Sequence, residues 1–202
     1  MINSGKLPKT VLFDLDDTIL ATSEGADEGM AVVAKRFTSI LVDMGYDLTQ
    51  ERLHNAIREY RTWFWSDELR NREGRLNLRD ALYENFHGGL EMLGIIAPEV
   101  VEQMARAWTD ARWATVKAFP GAKEVLWSLK SRGVRLGLVT NGSAEVQRKK
   151  IDCLNLHDIF DHIQIEGVFG LGKPEPEVYI HALHVLDSEP EETWMVGDNL
   201  EF

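Results

Sequence analysis

Three carboxylates lie close together near the start of the chain. Asp14, Asp16 and Asp17 follow directly on an apolar run at positions 10–13. Negative charge that is crowded at the end of a buried strand is unfavourable without a cation, and Mg²⁺ prefers carboxylate and carbonyl oxygens. The cluster therefore predicts a magnesium site that includes Asp14 and Asp16, whereas Asp17 is an ordinary turn residue.

A second polar segment follows the apolar run at positions 134–139. Thr140, Asn141 and Gly142 combine a hydroxyl group with a turn that opens the next predicted helix. Backbone N–H groups at the start of a helix bind anions, and the neighbouring hydroxyl adds a further donor. This segment predicts a phosphate site.

Two more charged residues stand at comparable positions. Lys173 precedes a proline and a predicted helix, and Asp198 comes just after the predicted strand at 193–196. The lysine supplies a positive charge for an anionic ligand, and the aspartate supplies a carboxylate for a metal ion. Because ligands of open α/β sheets bind beyond the carboxyl ends of the strands, we expect all these segments to meet there.

Together these residue types favour phosphoryl transfer through a covalent intermediate. An aspartate attacks phosphorus, and a second carboxyl group protonates the leaving oxygen and later takes a proton from water. Mg²⁺, Lys173 and Thr140 would disperse the charge of the transition state.

The hydrophobic pattern predicts the elements that must hold these residues. After position 119, short apolar runs alternate with helical segments, which predicts βαβ units and a parallel sheet. Positions 22–116 have a helical pattern throughout, in which Met30, Val33 and Phe37 recur at spacings of three and four. We predict a doubly wound, Rossmann-like α/β core with an all-helical insertion after its first strand.

Four motifs at strand ends resemble, in their order along the chain, those of the haloacid-dehalogenase-like (HAD) hydrolase superfamily. They are Asp14 to Thr18, Thr140 to Gly142, Lys173-Pro174 and Gly197-Asp198. The resemblance is to phosphatase-type members with a helical cap inserted after the first motif. It implies that residues 1–21 and 117–202 form the α/β catalytic core and that residues 22–116 form the cap domain.

The resemblance also implies roles for the acidic residues. Asp14 would be the nucleophile and a Mg²⁺ ligand. Asp16 would be the general acid and base and would give its backbone carbonyl to the metal, and Asp198 would be a further metal ligand. Family members that displace halide lack a carboxylate at the position of Asp16, so its presence favours phosphate chemistry.

The remaining motif residues would handle the phosphoryl group. Thr140 and the backbone N–H groups of Asn141 and Gly142 would bind it, and Lys173 would bridge it and Asp14. The resemblance thus makes Thr140 and Lys173 catalytic residues and Asn141 and Gly142 substrate-binding residues.

The helical segment contains an arginine-rich patch, with six arginines between positions 58 and 79 among several aromatic residues. Arg70, Arg72 and Arg75 could hold an anionic or aromatic leaving group through charge-assisted hydrogen bonds and stacking. The alternative is a solvated helix face whose arginine stems cover apolar surface.

The composition narrows the choice of partners. The 202 residues include 33 acidic and 22 basic side chains, and the net charge of −11 disfavours binding to nucleic acid. Cys153 is the only cysteine, and no apolar stretch is long enough for a signal peptide or a membrane span. We expect a cytoplasmic protein that binds a small phosphorylated metabolite and no membrane; its oligomeric state is left open.

The sequence thus predicts a Mg²⁺-dependent phosphatase that hydrolyses a small soluble phosphomonoester through a phospho-aspartyl intermediate on Asp14. A phosphomutase uses the same motifs and is the alternative enzyme. The alternative from another class is a non-catalytic phosphate- or metal-binding module, or a receiver-like signalling domain, although a long helical insertion is foreign to receivers.

The fourth motif meets the end of the sequence. The family pattern has another acidic residue four or five positions after Asp198; Phe202 stands at the first of these positions, and Glu201 comes one residue too early. We expect the chain to be truncated within this motif, without the final strand and helix of the core, and to bind Mg²⁺ weakly.

Overall fold

A computed structural model describes residues 7–199, which divide into two compact units. Residues 7–22 and 116–199 form the α/β unit, and Ser23–Thr115 form the helical unit. The chain therefore leaves the α/β unit after its first strand and returns to it once.

The helical unit contains five successive helices, the first of which begins at Thr22, the last residue of the α/β unit before the insertion. They are α1 (Thr22–Asp43), α2 (Gln50–Ser66), α3 (Glu68–Leu76), α4 (Leu78–Glu91) and α5 (Pro98–Ala114). The hydroxyl of Thr49 accepts from the N–H of Arg52 at 3.2 Å, and the carboxylate of Asp67 accepts from that of Arg70 at 2.9 Å. These side chains satisfy N–H groups that the first turns of α2 and α3 leave without a helical partner, which defines where both helices begin.

One apolar cluster holds the helical unit together. The stripe predicted on α1, with Met30, Val33 and Phe37, is buried in it. Phe86 of α4 and Met104 of α5 are fully buried in the same cluster. The insertion is thus all-helical, as its spacing predicts, and it has a core of its own. No helix among residues 7–199 is long and apolar enough to cross a membrane.

The α/β unit is built on a four-stranded parallel sheet. Its strands are β1 (Thr10–Phe13), β2 (Arg135–Thr140), β3 (His162–Ile165) and β4 (Thr193–Val196). The strand order is β3-β2-β1-β4, so β1 is central, and Phe13 pairs with Leu138 on one side and Val196 on the other. This register brings the carboxyl ends of β1, β2 and β4 to the same edge of the sheet.

Helices connect the strands. After α5 they are α6 (Ala122–Ser131), α7 (Ala144–Cys153), the short α8 (Glu166–Phe169) and α9 (Pro176–Val185). Every residue of β1 is buried: Val11 and Phe13 belong to one apolar cluster, and Leu12 belongs to another. A strand with both faces covered explains its continuous apolar run, and the doubly wound α/β prediction is confirmed.

Candidate active site

Asp14 is the first residue after β1, and the strand pairing fixes its position. Its backbone N–H donates to the carbonyl of Val196 at 2.9 Å, which ties it to the end of β4. Its side chain accepts from the N–H of Leu15 at 2.7 Å and lies 2.8 Å from Nζ of Lys173. Asp14 and Lys173 are only 8% and 2% exposed, so the site contains a buried ion pair.

Burial governs the charge of this carboxylate. It raises the pKa of Asp14, and the ammonium of Lys173 and the Leu15 N–H only partly oppose it. The negative charge of Asp16 adds a smaller upward contribution. A further positive charge near Asp14 would therefore stabilise its ionised form.

The metal ligands predicted from the sequence are the carboxylates of Asp14 and Asp198 and the backbone carbonyl of Asp16. A Cβ placed on Gly197 would lie 3.6 Å from Cβ of Asp14, so the segment that carries the exposed Asp198 passes beside the buried carboxylate. No three acidic, histidine or cysteine side chains converge closely enough within residues 7–199 to hold a metal ion. The predicted set needs only the carboxylates of Asp14 and Asp198 with the backbone carbonyl of Asp16, and these oxygen donors suit the ion. Glu201 and Phe202 lie outside the described residues.

The carboxylate of Asp16 is engaged by donors of its own unit. Both of its oxygens lie 2.7 Å from Nζ of Lys150, and Nε2 of Gln147 donates to Oδ2 at 3.0 Å. The hydroxyl of Thr22 also donates to this group. Burial acts to raise the pKa of Asp16, but the charge of Lys150 and these hydrogen bonds outweigh it and lower the pKa. These contacts hold the carboxylate of Asp16 in one position, so the predicted metal ligand of this residue is its backbone carbonyl and not its side chain.

The neighbouring Asp17 lies in the turn that follows. It has a φ of +53°, and its N–H donates to the carbonyl of Leu20 at 2.7 Å. Aspartate is one of the few residues that tolerate this left-handed conformation. Its backbone therefore shapes the turn, in line with the structural role that the sequence suggests.

The segment after β2 is held by side chains from two other elements. Thr140 is 2% exposed, and its hydroxyl accepts a hydrogen bond from the amide of Gln147. The N–H of Gly142 donates at 2.8 Å to Oε2 of Glu166, which begins α8. The N–H that was expected to face a phosphoryl group is therefore directed at a buried carboxylate in this structure.

Asn141 connects this segment to Lys173. Its Nδ2 donates to the carbonyl of Lys173 at 2.8 Å, and its Oδ1 accepts from the N–H of the same residue at 2.7 Å. The structure thus uses the side chain of Asn141 to position Lys173. Four of the predicted site residues, Asp14, Thr140, Asn141 and Lys173, belong to one connected arrangement at the carboxyl edge of the sheet.

Arg70 and Arg75, two of the predicted substrate-binding arginines, make contacts within the helical unit. The guanidinium of Arg70 lies 3.9 Å from the ring centroid of Trp63 and donates to the carbonyls of Trp63 and Phe64 at 2.9 and 3.2 Å. Nη1 of Arg75 donates to Oδ1 of Asn71 at 3.0 Å, while Arg72 is exposed. Arg70 therefore caps the carbonyl end of α2, which a charge pattern alone does not reveal.

Sequence reasoning missed three buried residues of this arrangement: Gln147, Lys150 and Glu166. The first two are three positions apart on α7, so they occupy one face of the helix, next to the fully buried Ile151. Polar residues on the apolar face of a helix that starts at a candidate phosphate site were an available signal. Nothing in the local sequence of Glu166 distinguishes it from a surface residue.

Comparison with known proteins gives a consistent assignment. A family model described as haloacid dehalogenase-like hydrolase matches residues 8–201. The chain is 30% identical over 193 residues to glyceraldehyde 3-phosphate phosphatase of Methanopyrus kandleri, covering 96% of this chain and 76% of that protein. It is 28% identical over 206 residues to N-acylneuraminate-9-phosphatase of Mus musculus, covering 96% and 75%.

A solved structure shares the fold. The HAD-hydrolase YfnB from Bacillus subtilis, bound to magnesium, superposes with a TM-score of 0.67 at 21% identity, over 97% of this chain and 80% of that one. The family match extends over nearly the whole sequence. The chain is therefore a hydrolase of the haloacid dehalogenase-like family.

Proposed function

We propose that this chain is a Mg²⁺-dependent phosphatase that hydrolyses a small phosphomonoester through a phospho-aspartyl intermediate on Asp14. The observation that carries the proposal is the buried pair of Asp14 and Lys173, 2.8 Å apart, at the carboxyl edge of a parallel sheet. A carboxylate nucleophile needs a cation that tolerates burial and can also accept phosphoryl oxygens. Relatives that match along most of the chain are phosphatases, which supports the same reaction class.

In the first step a carboxylate oxygen of Asp14 attacks phosphorus, and the bond from phosphorus to the leaving oxygen breaks. Asp16, whose pKa the contact with Lys150 lowers, must enter this step protonated; it gives its proton to the leaving oxygen, so the alcohol leaves neutral. Lys173 stabilises the charge on the phosphoryl oxygens, and the hydroxyl of Thr140 donates to one of them.

In the second step water attacks the phosphorus of the phospho-aspartate. Asp16, now a carboxylate, takes a proton from that water, and the bond between phosphorus and Asp14 breaks. Inorganic phosphate leaves, Asp14 returns as a carboxylate, and Asp16 is protonated for the next cycle.

The carboxylates of Asp14 and Asp198 and the backbone carbonyl of Asp16 would hold Mg²⁺. When bound, the ion offsets the repulsion between Asp14 and the incoming phosphoryl oxygens. The helical unit, Ser23–Thr115, would serve as the cap that selects the leaving group, with Arg72 as a candidate contact. A small phosphorylated metabolite as substrate and a cytoplasmic location complete the proposal, since the chain is acidic and has one cysteine.

Phosphate release from an aryl phosphate tests this function. The wild-type chain with Mg²⁺ is expected to release phosphate over many turnovers, and Asp14→Asn to release none. Asp152→Asn, which changes an exposed aspartate of the same unit, is the matched control and is expected to match the wild type. Full activity of Asp14→Asn would exclude the proposed nucleophile. Isomerisation of a sugar phosphate without phosphate release would instead identify a phosphomutase.

A further inference from the structure

We propose that Lys150 and Gln147 are positioning residues: they hold the carboxylate of Asp16 in place and join its position to that of Thr140. The inference rests on the phosphatase function proposed above, because it concerns the acid and base of that reaction. Neither residue belongs to the four motifs.

Lys150 makes a close, symmetrical contact with Asp16. Its ammonium lies 2.7 Å from each carboxylate oxygen, and the residue is only 3% exposed. Removing a lysine ammonium from water is unfavourable unless a partner compensates for the lost hydration. The compensating partner here is the carboxylate of Asp16, the proposed acid and base. Because the buried ammonium of Lys150 is stable only beside this carboxylate, the ion pair holds the Asp16 side chain in one position.

Gln147 joins two functional groups through one amide. Its Nε2 carries two hydrogens and donates to both Oδ2 of Asp16, at 3.0 Å, and the hydroxyl oxygen of Thr140. The hydroxyl of Thr140 accepts this hydrogen bond and donates its own hydrogen to the carbonyl of Asn141 at 3.5 Å, a long contact that a phosphoryl oxygen would replace. Gln147 is 1% exposed, so water does not compete for its amide.

A rigid helix carries both residues. The hydroxyl of Ser143 caps α7 by accepting from the N–H of Val146 at 3.3 Å, and the fully buried Ile151 anchors the same helix in the core. Asp16 lies 134 positions before Lys150, in the turn after β1. This turn thus carries the proposed acid and base, and α7 carries the two side chains that hold it in place.

The test uses leaving groups of different quality. A nitrophenolate leaves without a proton, whereas an alkoxide needs one from Asp16. Lys150→Met is expected to lower kcat for an alkyl phosphate by about 10²-fold or more, to lower kcat for nitrophenyl phosphate by a much smaller factor, and to leave KM unchanged. Asp16→Asn should show the same pattern, and the double variant should be no slower than Asp16→Asn alone.

Lys130→Met is the matched control. Lys130 also belongs to the α/β unit and contacts a carboxylate, Asp161, at 3.0 Å, together with the carbonyl of Ile159. Lys130→Met should leave kcat unchanged for both the alkyl phosphate and nitrophenyl phosphate. An equal loss for both substrates in Lys150→Met, an additive double variant, or an increase in kcat would overturn the proposal.

A second measurement does not depend on turnover or on the stability of the methionine variant. In protein labelled with carbon-13 at aspartate carboxyl groups, the resonance that disappears in Asp16→Asn identifies Asp16. That resonance should move in Lys150→Arg and Gln147→Ala and stay in place in Lys130→Met. If the Asp16 resonance does not move in Lys150→Arg or Gln147→Ala, the positioning role is refuted. If it moves but the wild type hydrolyses no phosphomonoester, only the proposed function is refuted.

Discussion

Asn141 and Lys173 form a reciprocal pair in which the side chain of one residue satisfies the backbone of the other. Nδ2 of Asn141 donates to the carbonyl of Lys173 at 2.8 Å, and Oδ1 accepts from its N–H at 2.7 Å. The side chain of Lys173 then reaches Asp14 at 2.8 Å. Asn141, which follows β2, thus positions Lys173, whose ammonium pairs with Asp14, the residue that follows β1.

Loss of this pair should affect both stability and turnover. Asn141→Ala leaves the N–H and carbonyl of Lys173 without their partners, which should lower the free energy of unfolding by about 1–3 kcal/mol. Lys173 would no longer be held against Asp14, so phosphate release should slow as well. Urea denaturation and phosphate release measure the two effects. Asn55→Ala, at an exposed contact with Arg58, is the control, and equal stability of both variants would contradict this role of Asn141.

Gly172 is expected to be intolerant of even one added carbon. A Cβ at this position would lie 2.6 Å from Cδ and Oε1 of Glu166 and 2.9 Å from Oδ1 of Asn141. Gly172→Ala should therefore push Glu166 from the N–H of Gly142 and lower the free energy of unfolding by about 1–3 kcal/mol.

Gly197→Ala provides the comparison for this substitution. The nearest atom to its added carbon, Cβ of Asp14, lies at 3.6 Å, an ordinary van der Waals distance. Its melting temperature should stay close to that of the wild type. Equal melting temperatures for Gly172→Ala and Gly197→Ala would show that the close contacts around Gly172 do not limit the size of the residue at this position.

The parts of the site that could be predicted are those set by strand ends. Asp14, Thr140 and Asp198 follow short apolar runs, and parallel strands bring their carboxyl ends to one edge. The local sequence pattern is sufficient for these residues because the parallel sheet, rather than any side-chain contact, brings them to the same edge.

The contacts that could not be predicted join segments far apart in sequence. Lys150 meets Asp16 across 134 positions, and Glu166 meets Gly142 across 24. Whether residues so far apart in sequence meet depends on how α7 and α8 pack against the sheet, and the local sequence pattern does not determine that packing. The arginine-rich patch shows the same limit, since composition gives its charge but not that Arg70 folds back over Trp63.

Tyr179 carries a buried hydroxyl group with no hydrogen-bond partner in the part of the chain that the structure describes. Burial, and after it the negative charge of Asp14, raise the pKa of this tyrosine. An unsatisfied buried hydroxyl is unfavourable, so Tyr179→Phe should raise the free energy of unfolding by about 1 kcal/mol.

Tyr46→Phe is the matched control, because the hydroxyl of Tyr46 donates to the carbonyl of Ile96 at 3.3 Å. This variant should lose up to about 1 kcal/mol instead of gaining stability. Thermal denaturation of both variants decides the matter. A loss of stability in Tyr179→Phe would mean that its hydroxyl has a partner in the folded protein.

His162 should make the stability of the fold sensitive to acid. Burial lowers the pKa of His162, and the neighbouring His181, with ring centroids 5.6 Å apart, lowers it further, while the hydrogen bond with Gln164 opposes both. The unfolded chain therefore takes up a proton on His162 at a higher pH than the folded chain does. As the pH falls below about 6.5, the ordinary pKa of histidine, unfolding becomes more favourable until the folded state is protonated too.

Replacing His162 tests this linkage directly. His162→Gln cannot titrate, so its free energy of unfolding should change less than that of the wild type between pH 7.5 and pH 5.5, as measured by urea denaturation at each pH. His184→Gln removes an exposed histidine of the same unit and should retain the pH dependence of the wild type. If His162→Gln keeps the full acid sensitivity, the proton that drives it binds to another group.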